Sequence, residues 1–228
     1  MRSLVSAEDG HRFVRADLGQ IEPRVLAAVS GDRALIEATQ GEDLYSPIAE
    51  RLGITRELAK LAVLGAMYGA TTGESAGALA GLQKNYPVAM SLLEHAAESG
   101  KRSEDIFTSG GRRVRMSAGN GQDGNLDRAV SAAAARGRYA RNALIQGSAA
   151  EFFKVWAITV RRHARSLDAE VVLCLHDELL VHVPEEQADE AALMVTDAVG
   201  EAARYWSPEP DVRFVADTQV MTRWSEAK

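Results

Sequence analysis

The fold of this chain follows from residues 174–181, which read Cys174-Leu175-His176-Asp177-Glu178-Leu179-Leu180-Val181. Three polar residues stand between two apolar runs, 171–175 and 179–183, so the pattern predicts two β-strands joined by a tight turn. Such a turn can hold a carboxylate rigidly above a sheet, as metal-dependent chemistry requires. Acidic residues are also common in ordinary surface turns, so the hairpin alone is compatible with both interpretations.

A second carboxylate at the end of a predicted strand favours the metal interpretation. Residues 12–17 alternate loosely and predict a strand that ends at Asp17. If both strands belong to one sheet, Asp17 and Asp177 come within bridging distance of two hard cations. Carboxylate and phosphate oxygens suit Mg²⁺, and two such ions stabilise the attacking and leaving oxygens of a displacement at phosphorus. The sequence contains no zinc-ligand spacing, nucleophile elbow or Walker glycine loop.

The composition is that of an ordinary globular protein. With 228 residues, 46% hydrophobic and 25% charged, the chain can form one large domain or two small ones. The single cysteine, Cys174, excludes an internal disulfide framework and predicts a reducing, cytoplasmic environment. No apolar run reaches transmembrane length and no signal-peptide core is visible, so we expect no membrane partner.

The positive charge is concentrated in one part of the chain. The net charge is −6, yet residues 101–165 carry an excess of eight positive charges. This segment contains Arg112, Arg113 and Arg115 beside two glycines, where a backbone can approach a phosphate closely. The local charge predicts a polyanionic partner such as nucleic acid, although charged segments are more often solvated helix faces.

Predicted strands lie at the two ends of the chain and predicted helices between them. The strand-like runs are 12–17, 171–175, 179–183 and 212–221, and the helical patterns cover 21–30, most of 43–99, 126–167 and 185–205. Residues 117–124 predict a loop. One sheet assembled from both chain ends, with a helical insertion, is the simplest arrangement.

The helix predicted over 55–68 carries a possible ligand-binding side. Arg56, Lys60, Leu64 and Tyr68 recur every four residues and therefore lie on one side of the helix. Two cations, an apolar residue and an aromatic could bind a triphosphate at one end and a base at the other. Spacing alone favours the simpler interpretation, an amphipathic helix with its charges in water and Tyr68 in the core.

Several segments resemble motifs of family A DNA polymerases, of the DNA polymerase I type. Residues 17–27, Asp-Leu-Gly-Gln-Ile-Glu-Pro-Arg-Val-Leu-Ala, resemble motif A; Arg56-x-x-x-Lys60 followed by Tyr68-Gly69 resembles motif B; and His176-Asp177-Glu178 resembles the core of motif C. Two further family segments are similar to Gly111-Arg112-Arg113 and to Arg138-x-x-x-Asn142-x-x-x-Gln146-Gly147-Ser148. The segments follow the family order across nearly the whole chain.

The resemblance implies an α+β fold: an antiparallel palm sheet assembled from both chain ends, with a largely helical fingers insertion and no thumb. The implied domains are palm over 1–40, which holds motif A, fingers over 41–110, which hold motif B, and palm over 111–228, which holds the motif C hairpin. We expect no counterpart of the family's thumb and exonuclease domains in these 228 residues.

The resemblance also implies a role for each matching residue. Asp17 and Asp177 would hold two Mg²⁺ ions, which Mn²⁺ could replace, and Glu178 would complete the catalytic group. The implied nucleotide-binding residues are Gln20, Glu22, Arg56, Lys60, Leu64 and Tyr68. Among these, Glu22 would be the steric gate that excludes a ribose 2′-hydroxyl. The implied DNA-binding residues are Arg112, Arg113, Arg115, Arg138, Asn142, Gln146 and His176.

The sequence departs from the family pattern at a few positions. Leu18-Gly19 replaces a Tyr-Ser pair beside the first metal ligand, and Leu64 replaces an aromatic residue that packs on the nucleotide sugar. The Leu64 change should weaken nucleotide packing. The family's C-terminal pattern is degraded at residues 217–224, which read Asp-Thr-Gln-Val-Met-Thr-Arg-Trp.

The resulting prediction is template-directed DNA synthesis, in which a primer 3′-hydroxyl attacks the α-phosphate of a dNTP. Without a thumb we expect weak, distributive synthesis, or dependence on a separately encoded thumb or exonuclease domain. The expected partners are primer–template DNA and dNTPs, in the cytoplasm at the bacterial nucleoid. Two alternatives stay open: a remnant that binds primer–template without extending it, and a metal-dependent phosphohydrolase. The Arg56, Lys60 and Tyr68 side argues against hydrolysis, which needs no surface for stacking a base.

Overall fold

The computed structural model describes residues 2–69, 75–116 and 126–227, which form six strands and eight α-helices. The strands are β1 (His11–Gly19), β2 (Ile106–Phe107), β3 (Arg113–Val114), β4 (Glu170–Leu175), β5 (Glu178–Pro184) and β6 (Val215–Met221). The helices are α1 (Ile21–Ser30), α2 (Arg33–Ala38), α3 (Tyr45–Leu52), α4 (Arg56–Tyr68), α5 (Ser75–Asn85), α6 (Pro87–Lys101), α7 (Leu126–Ala164) and α8 (Ala188–Trp206). The predicted loop at 117–124 lies outside the described residues.

Residue contacts divide the chain into two compact units. The sheet unit comprises Met1–Ile21 and Ala150–Lys228, and the helical unit comprises Glu22–Ala149. The chain passes from one unit to the other within α1 and again within α7. The predicted domain limits at residues 40 and 110 stay predictions.

The sheet unit is built around four antiparallel strands in the order β4-β5-β1-β6. Since β1 comes from the start of the chain and the other three from its end, the sheet joins both chain ends. The predicted α+β class and this sheet arrangement are therefore confirmed. The last strand begins at Val215, three residues later than the predicted run.

One face of the sheet is covered by helix. The side chains of Val14, Ala16 and Leu18 on β1 are at most 1% exposed. Helix α8 packs on this face, where the hydroxyl groups of Thr196 and Thr218 lie 3.1 Å apart. Alternation then places the remaining β1 side chains on the opposite face.

That opposite face carries a small apolar cluster, and the N-terminal segment packs on it. The cluster consists of Phe13, Leu180, Met221 and Trp224, and it is flanked by Val5, Ala7, Leu173 and Ala227. The segment is also tied to the end of the chain, because the Ala7 N–H donates to the Thr222 carbonyl at 2.9 Å. The odd-numbered positions of β1 that continue beyond this cluster are Arg15 and Asp17.

Helix α4 in the helical unit has well-defined ends. The Thr55 side chain accepts a hydrogen bond from the Leu58 N–H at 3.2 Å, which caps the first turn. Gly69 ends the helix with a φ of 77°, a left-handed conformation that favours glycine. The helix predicted over 55–68 is thus confirmed.

Asp32 links α2 to α6 within the helical unit. One of its carboxylate oxygens caps α2 by accepting from the Leu35 N–H at 3.2 Å. The other accepts from the N–H groups of Val88 and Ala89, at 3.0 and 3.1 Å, in the first turn of α6.

Among the described helices, none combines the length and apolar composition that a bilayer-spanning segment needs.

Candidate active site

A two-residue loop between β4 and β5 presents Asp177. Leu175 pairs with Glu178 across the hairpin, so His176 and Asp177 alone form the loop. His176 has a φ of 56°, which costs a non-glycine residue on the order of 1 kcal/mol. Its exposed ring places Nδ1 at 3.2 Å from the Asp177 carboxylate. The loop therefore holds the two side chains together at the edge of the sheet.

The strand register brings four carboxylates to one place. Asp17 pairs with Glu178 on one side and with Asp217 on the other, so the three side chains share the face of the sheet opposite α8, which we call the open face. Asp177 joins them because its carbonyl accepts a hydrogen bond from the Leu18 N–H at 3.0 Å. The predicted metal and catalytic residues thus lie together within the sheet unit, together with Asp217, which the sequence prediction did not include.

Arg15 lies buried among these carboxylates. Its guanidinium donates to Glu178 at 3.0 and 3.1 Å and to Asp17 at 2.8 Å, and it lies 3.6 Å from Asp217. The side chain is only 8% exposed. The sequence prediction did not include this residue, although one signal was available. Arg15 and Asp17 are two positions apart on a predicted strand, so their side chains lie on the same face.

Glu178 has two further partners in the site, Trp224 and Arg2. Its carboxylate is 5% exposed and accepts a hydrogen bond from the Trp224 indole N–H. Arg2 approaches within 3.6 Å and its guanidinium lies 4.8 Å from the centre of the Trp224 ring. A buried carboxylate needs such partners. Glu178 is therefore the most buried of the four carboxylates.

Among the four carboxylates, Asp17 and Asp177 are partly exposed, at 32% and 33%, and Asp217 is more exposed, at 67%. Burial and the neighbouring Asp177 raise the pKa of Asp17, against the opposing influence of Arg15. Like-charge repulsion of this kind is relieved when a cation binds between the carboxylates. The donors are all oxygen atoms, which fits Mg²⁺ or Mn²⁺. Gln20 follows β1 directly and has a φ of 54°.

In the helical unit, Glu22 and Tyr68 are joined by a short hydrogen bond. The Tyr68 hydroxyl donates to the Glu22 carboxylate at 2.6 Å, and the Gln146 side chain also hydrogen-bonds to Tyr68. Burial and the bond to Glu22 raise the pKa of Tyr68 to about 12, and burial and Glu22 raise that of Tyr45 to about 12. Both phenols therefore stay protonated at neutral pH. Tyr45 was not among the predicted residues.

The predicted side of α4 is exposed, as ligand binding requires. Arg56, Lys60 and Tyr68 are exposed and Leu64 is half-buried, while Tyr68 is 39% exposed rather than in the core. Arg56 is already paired in this structure. Its guanidinium donates to both Asp43 oxygens, at 2.8 and 3.0 Å. A phosphate that binds Arg56 must share it with this carboxylate.

Most of the predicted DNA-binding residues line one groove of about 490 Å³ in the helical unit. The lining residues include Arg112, Arg113, Arg115, Asn142 and Gln146. Asn142 Oδ1 is buried and has no hydrogen-bond partner among the described residues. The predicted positive surface and the polar side of α7 therefore meet in a single cavity.

The segment that leads to Arg112, Arg113 and Arg115 is held against α7 at two small residues, Gly147 and Ser148. The Ser148 hydroxyl is fully buried and accepts from the Ser109 N–H at 3.1 Å. A Cβ on Gly147 would lie 2.6 Å from the Thr108 methyl and 2.7 Å from the Arg112 guanidinium, so the close approach requires glycine.

Arg138 is placed differently from the other predicted DNA-binding residues. It does not line this groove, and its aliphatic stem packs against Gly69, where an added Cβ would lie 2.7 Å from Arg138 Cγ.

A family comparison agrees with this arrangement. The sequence profile of DNA polymerase family A matches residues 1–226. The chain belongs to this family. The resemblance found from the motifs is therefore confirmed.

Curated family A relatives are much longer than this chain. It is 33% identical over 228 residues to the DNA polymerase I of Chloroflexus aurantiacus, covering 90% of this chain and 23% of that protein. It is 28% identical over 223 residues to the thermostable DNA polymerase I of Thermus thermophilus, covering 89% of this chain and 26% of that protein. The chain thus spans about a quarter of the length of these relatives.

A solved family A structure has the same fold. The POL domain of Pol1 from M. smegmatis, in complex with DNA primer–template and dNTP, superposes with a TM-score of 0.80 at 26% identity. The match covers 99% of this chain and 42% of that chain.

Proposed function

We propose that this chain carries the nucleotidyl-transfer site of a family A DNA polymerase, which adds a deoxynucleotide to a primer 3′-hydroxyl. The observation that carries the proposal is the division of labour among the carboxylates. Asp17 and Asp177 are accessible on the open face of the sheet, whereas Glu178 is buried and already neutralised by Arg15. Such an arrangement leaves Asp17 and Asp177 accessible to cations, beside the more exposed Asp217, and uses Glu178 for support.

Asp17 and Asp177 would hold the divalent ions on which family A DNA polymerases depend, generally Mg²⁺. When bound, these ions supply charge stabilisation for the attacking and leaving oxygens. Before the ions bind, Arg15 and Glu178 would keep the Asp17 and Asp177 carboxylates oriented. Catalysis would then depend on positioning and electrostatics, with no covalent step for the protein to perform.

The helical unit supplies the groups proposed to select the nucleotide. Arg56 and Lys60, on the exposed side of α4, would contact the phosphates. The Tyr68 hydroxyl orients Glu22 through the 2.6 Å bond, which supports the proposed role of Glu22 against a 2′-hydroxyl. Leu64 offers less contact area to the sugar than an aromatic side chain would.

The groove with Arg112, Arg113 and Arg115 supports the proposed contact with primer–template DNA. Three guanidinium groups can bind phosphates without regard to sequence, and such contacts position the duplex. Asn142, Gln146 and Arg138 add polar groups on α7. His176, at the tip of the hairpin, would lie at the primer terminus.

The proposal is tested by primer extension with Asp177→Ala and with Asp189→Ala, an exposed acidic residue of α8, as the matched control. Asp177→Ala should lose Mg²⁺-dependent extension by at least about 100-fold, because even outer contacts of metal ligands cost 10–100-fold. Its affinity for primer–template DNA should stay unchanged. Extension by Asp177→Ala as fast as that measured for the wild type and for Asp189→Ala would show that the site is wrongly assigned.

The same assay separates the alternatives. Synthesis is measured for the chain alone and after addition of a separately produced thumb domain. Binding of primer–template without extension in either case would identify an impaired polymerase that only binds DNA. Release of phosphate from dNTPs without a primer would identify a phosphohydrolase.

A further inference from the structure

We propose that Glu8, His11 and His182 form a binding site for a zinc-class transition-metal ion, separate from the carboxylate group of Asp17 and Asp177. Each of the three residues offers one ligand atom, and these atoms all lie within 4.8 Å of one another. Glu8 is exposed and the two histidines are half-buried.

The sheet register brings the two histidines together. His182 on β5 pairs with Phe13, and His11 lies two residues before Phe13 on the same face of β1. The imidazole rings stack with centroids 4.5 Å apart and an angle of 8° between their planes. The Phe13 ring lies 5.6 Å from the His182 ring and supports it from another direction.

The backbone around Glu8 favours ring nitrogens with free lone pairs. The Glu8 N–H donates to His182 Nε2 at 3.4 Å, so this nitrogen is unprotonated and its weak hydrogen bond is easily replaced. His11 Nδ1 lies 3.3 Å from the Asp9 carbonyl, which can only accept. This contact favours a proton on Nδ1 and leaves the lone pair of Nε2 for a metal, as second-shell carbonyls do in metal sites.

The ligand set selects the class of ion. Two imidazole nitrogens and one carboxylate oxygen suit Zn²⁺, Ni²⁺ or Cu²⁺, whereas Mg²⁺ prefers oxygen alone. Zinc bonds of about 2.1 Å require the ligand atoms to close by roughly 1 Å, and the stacked rings to tilt so that the ion lies in both ring planes. The exposed Glu8 side chain can move toward the ion, whereas the tilt must come from the half-buried rings themselves. Water would fill the remaining position.

Metal binding at this place would anchor the N-terminal segment. Glu8 follows Val5 and Ala7, which pack on the apolar cluster of the open sheet face. Nearer the start of the same segment, Arg2 forms an ion pair with Glu178. A bound ion would therefore tie this segment to β5 and stabilise the sheet unit by mass action.

The test is calorimetric titration of the full chain with Zn²⁺ after chelator treatment, with Mg²⁺ present to occupy the carboxylates. The variants are His11→Gln, His182→Gln and Glu8→Gln. The control is His95→Gln, an exposed histidine of α6. Each cluster variant should bind Zn²⁺ at least tenfold more weakly, and the control should bind as the wild type does.

Folding and ion geometry are checked separately. Circular dichroism without metal verifies that each variant folds, and Glu8→Gln changes an exposed side chain to one of nearly equal size. Co²⁺ in place of Zn²⁺ should give visible absorption bands in the wild type that the two histidine variants lose. Equal Zn²⁺ affinity in all variants, or no saturable binding by the wild type, would overturn the proposal.

Discussion

Replacement of Arg15 by alanine should destabilise the sheet unit strongly. The guanidinium is 8% exposed and bridges Glu178 to Asp17 through bonds of 2.8–3.1 Å. Its removal leaves Glu178, 5% exposed, with the Trp224 indole and the more distant Arg2 as partners. The unpaired charge then lies in a poorly solvated position beside other carboxylates.

The magnitude follows from the burial of the pair. Breaking a buried ion pair by removing one partner costs about 3–5 kcal/mol, and the lower end applies because Trp224 still donates to Glu178. At a denaturant slope of about 2 kcal/mol/M, a loss of about 3 kcal/mol lowers the urea midpoint by roughly 1.5 M. The double variant Arg15→Ala/Glu178→Ala should lose less than the sum of the single variants, because no charge is left unpaired.

Tryptophan fluorescence is the appropriate assay. Trp156, Trp206 and Trp224 are the three tryptophans of the chain, and all belong to the sheet unit. The control is Arg12→Ala, on the same strand, whose partner Glu185 is exposed. That pair should contribute less than about 1 kcal/mol. Equal midpoint shifts for the Arg15 and Arg12 variants, or additive effects in the double variant, would refute the reasoning.

Two other perturbations test the electrostatics of the candidate site. Because the pKa of Asp17 is raised in the folded state, the contribution of this group to stability is fully present below its ordinary pKa of 3.8 and is lost as the pH rises through the folded value. Asp17→Asn without divalent metal should therefore raise the urea midpoint at pH 7.5, by an amount that shrinks toward pH 4. A lower midpoint at pH 7.5 would contradict this sign. Tyr68→Phe removes the bond that orients Glu22 and should raise the ratio of ribonucleotide to deoxynucleotide incorporation about tenfold in single-turnover extension, given about 1.5 kcal/mol for a charge-assisted hydrogen bond. Tyr205→Phe, an 84% exposed control, should leave the ratio unchanged, and an unchanged ratio for Tyr68→Phe would remove the hydroxyl from sugar selection.

Much of the fold could be predicted because its signals are local. Periodicity gave α1 at residues 21–30 as the structure has it, and the capping residue Thr55 and Gly69 bounded α4. The same periodicity put Arg56, Lys60, Leu64 and Tyr68 on one side, but it could not tell an exposed side from a buried one. The 39% exposure of Tyr68 depends on packing by other helices.

The partners of the predicted residues could not be read from spacing. Asp43 holds Arg56 through two bonds, and no short-range rule links a loop acid to a helix thirteen residues away. The need for glycine at position 147 arises only from the close approach of Thr108 and Arg112, which are distant in sequence.

The order of apolar and polar residues along the chain is enough to place Asp17 on a strand and Asp177 in a turn, because strand alternation and turn chemistry act over a few residues. The predicted strand end at Asp17 is wrong, since pairing with β6 extends β1 to Gly19. The sequence motifs also suffice for the family. Which charges neutralise which, however, depends on the register of strands that are more than 150 residues apart. That register buries Arg15 against Glu178 and stacks His11 on His182. Burial and through-space electrostatics are properties of the assembled sheet, and they decide which partners these four residues contact.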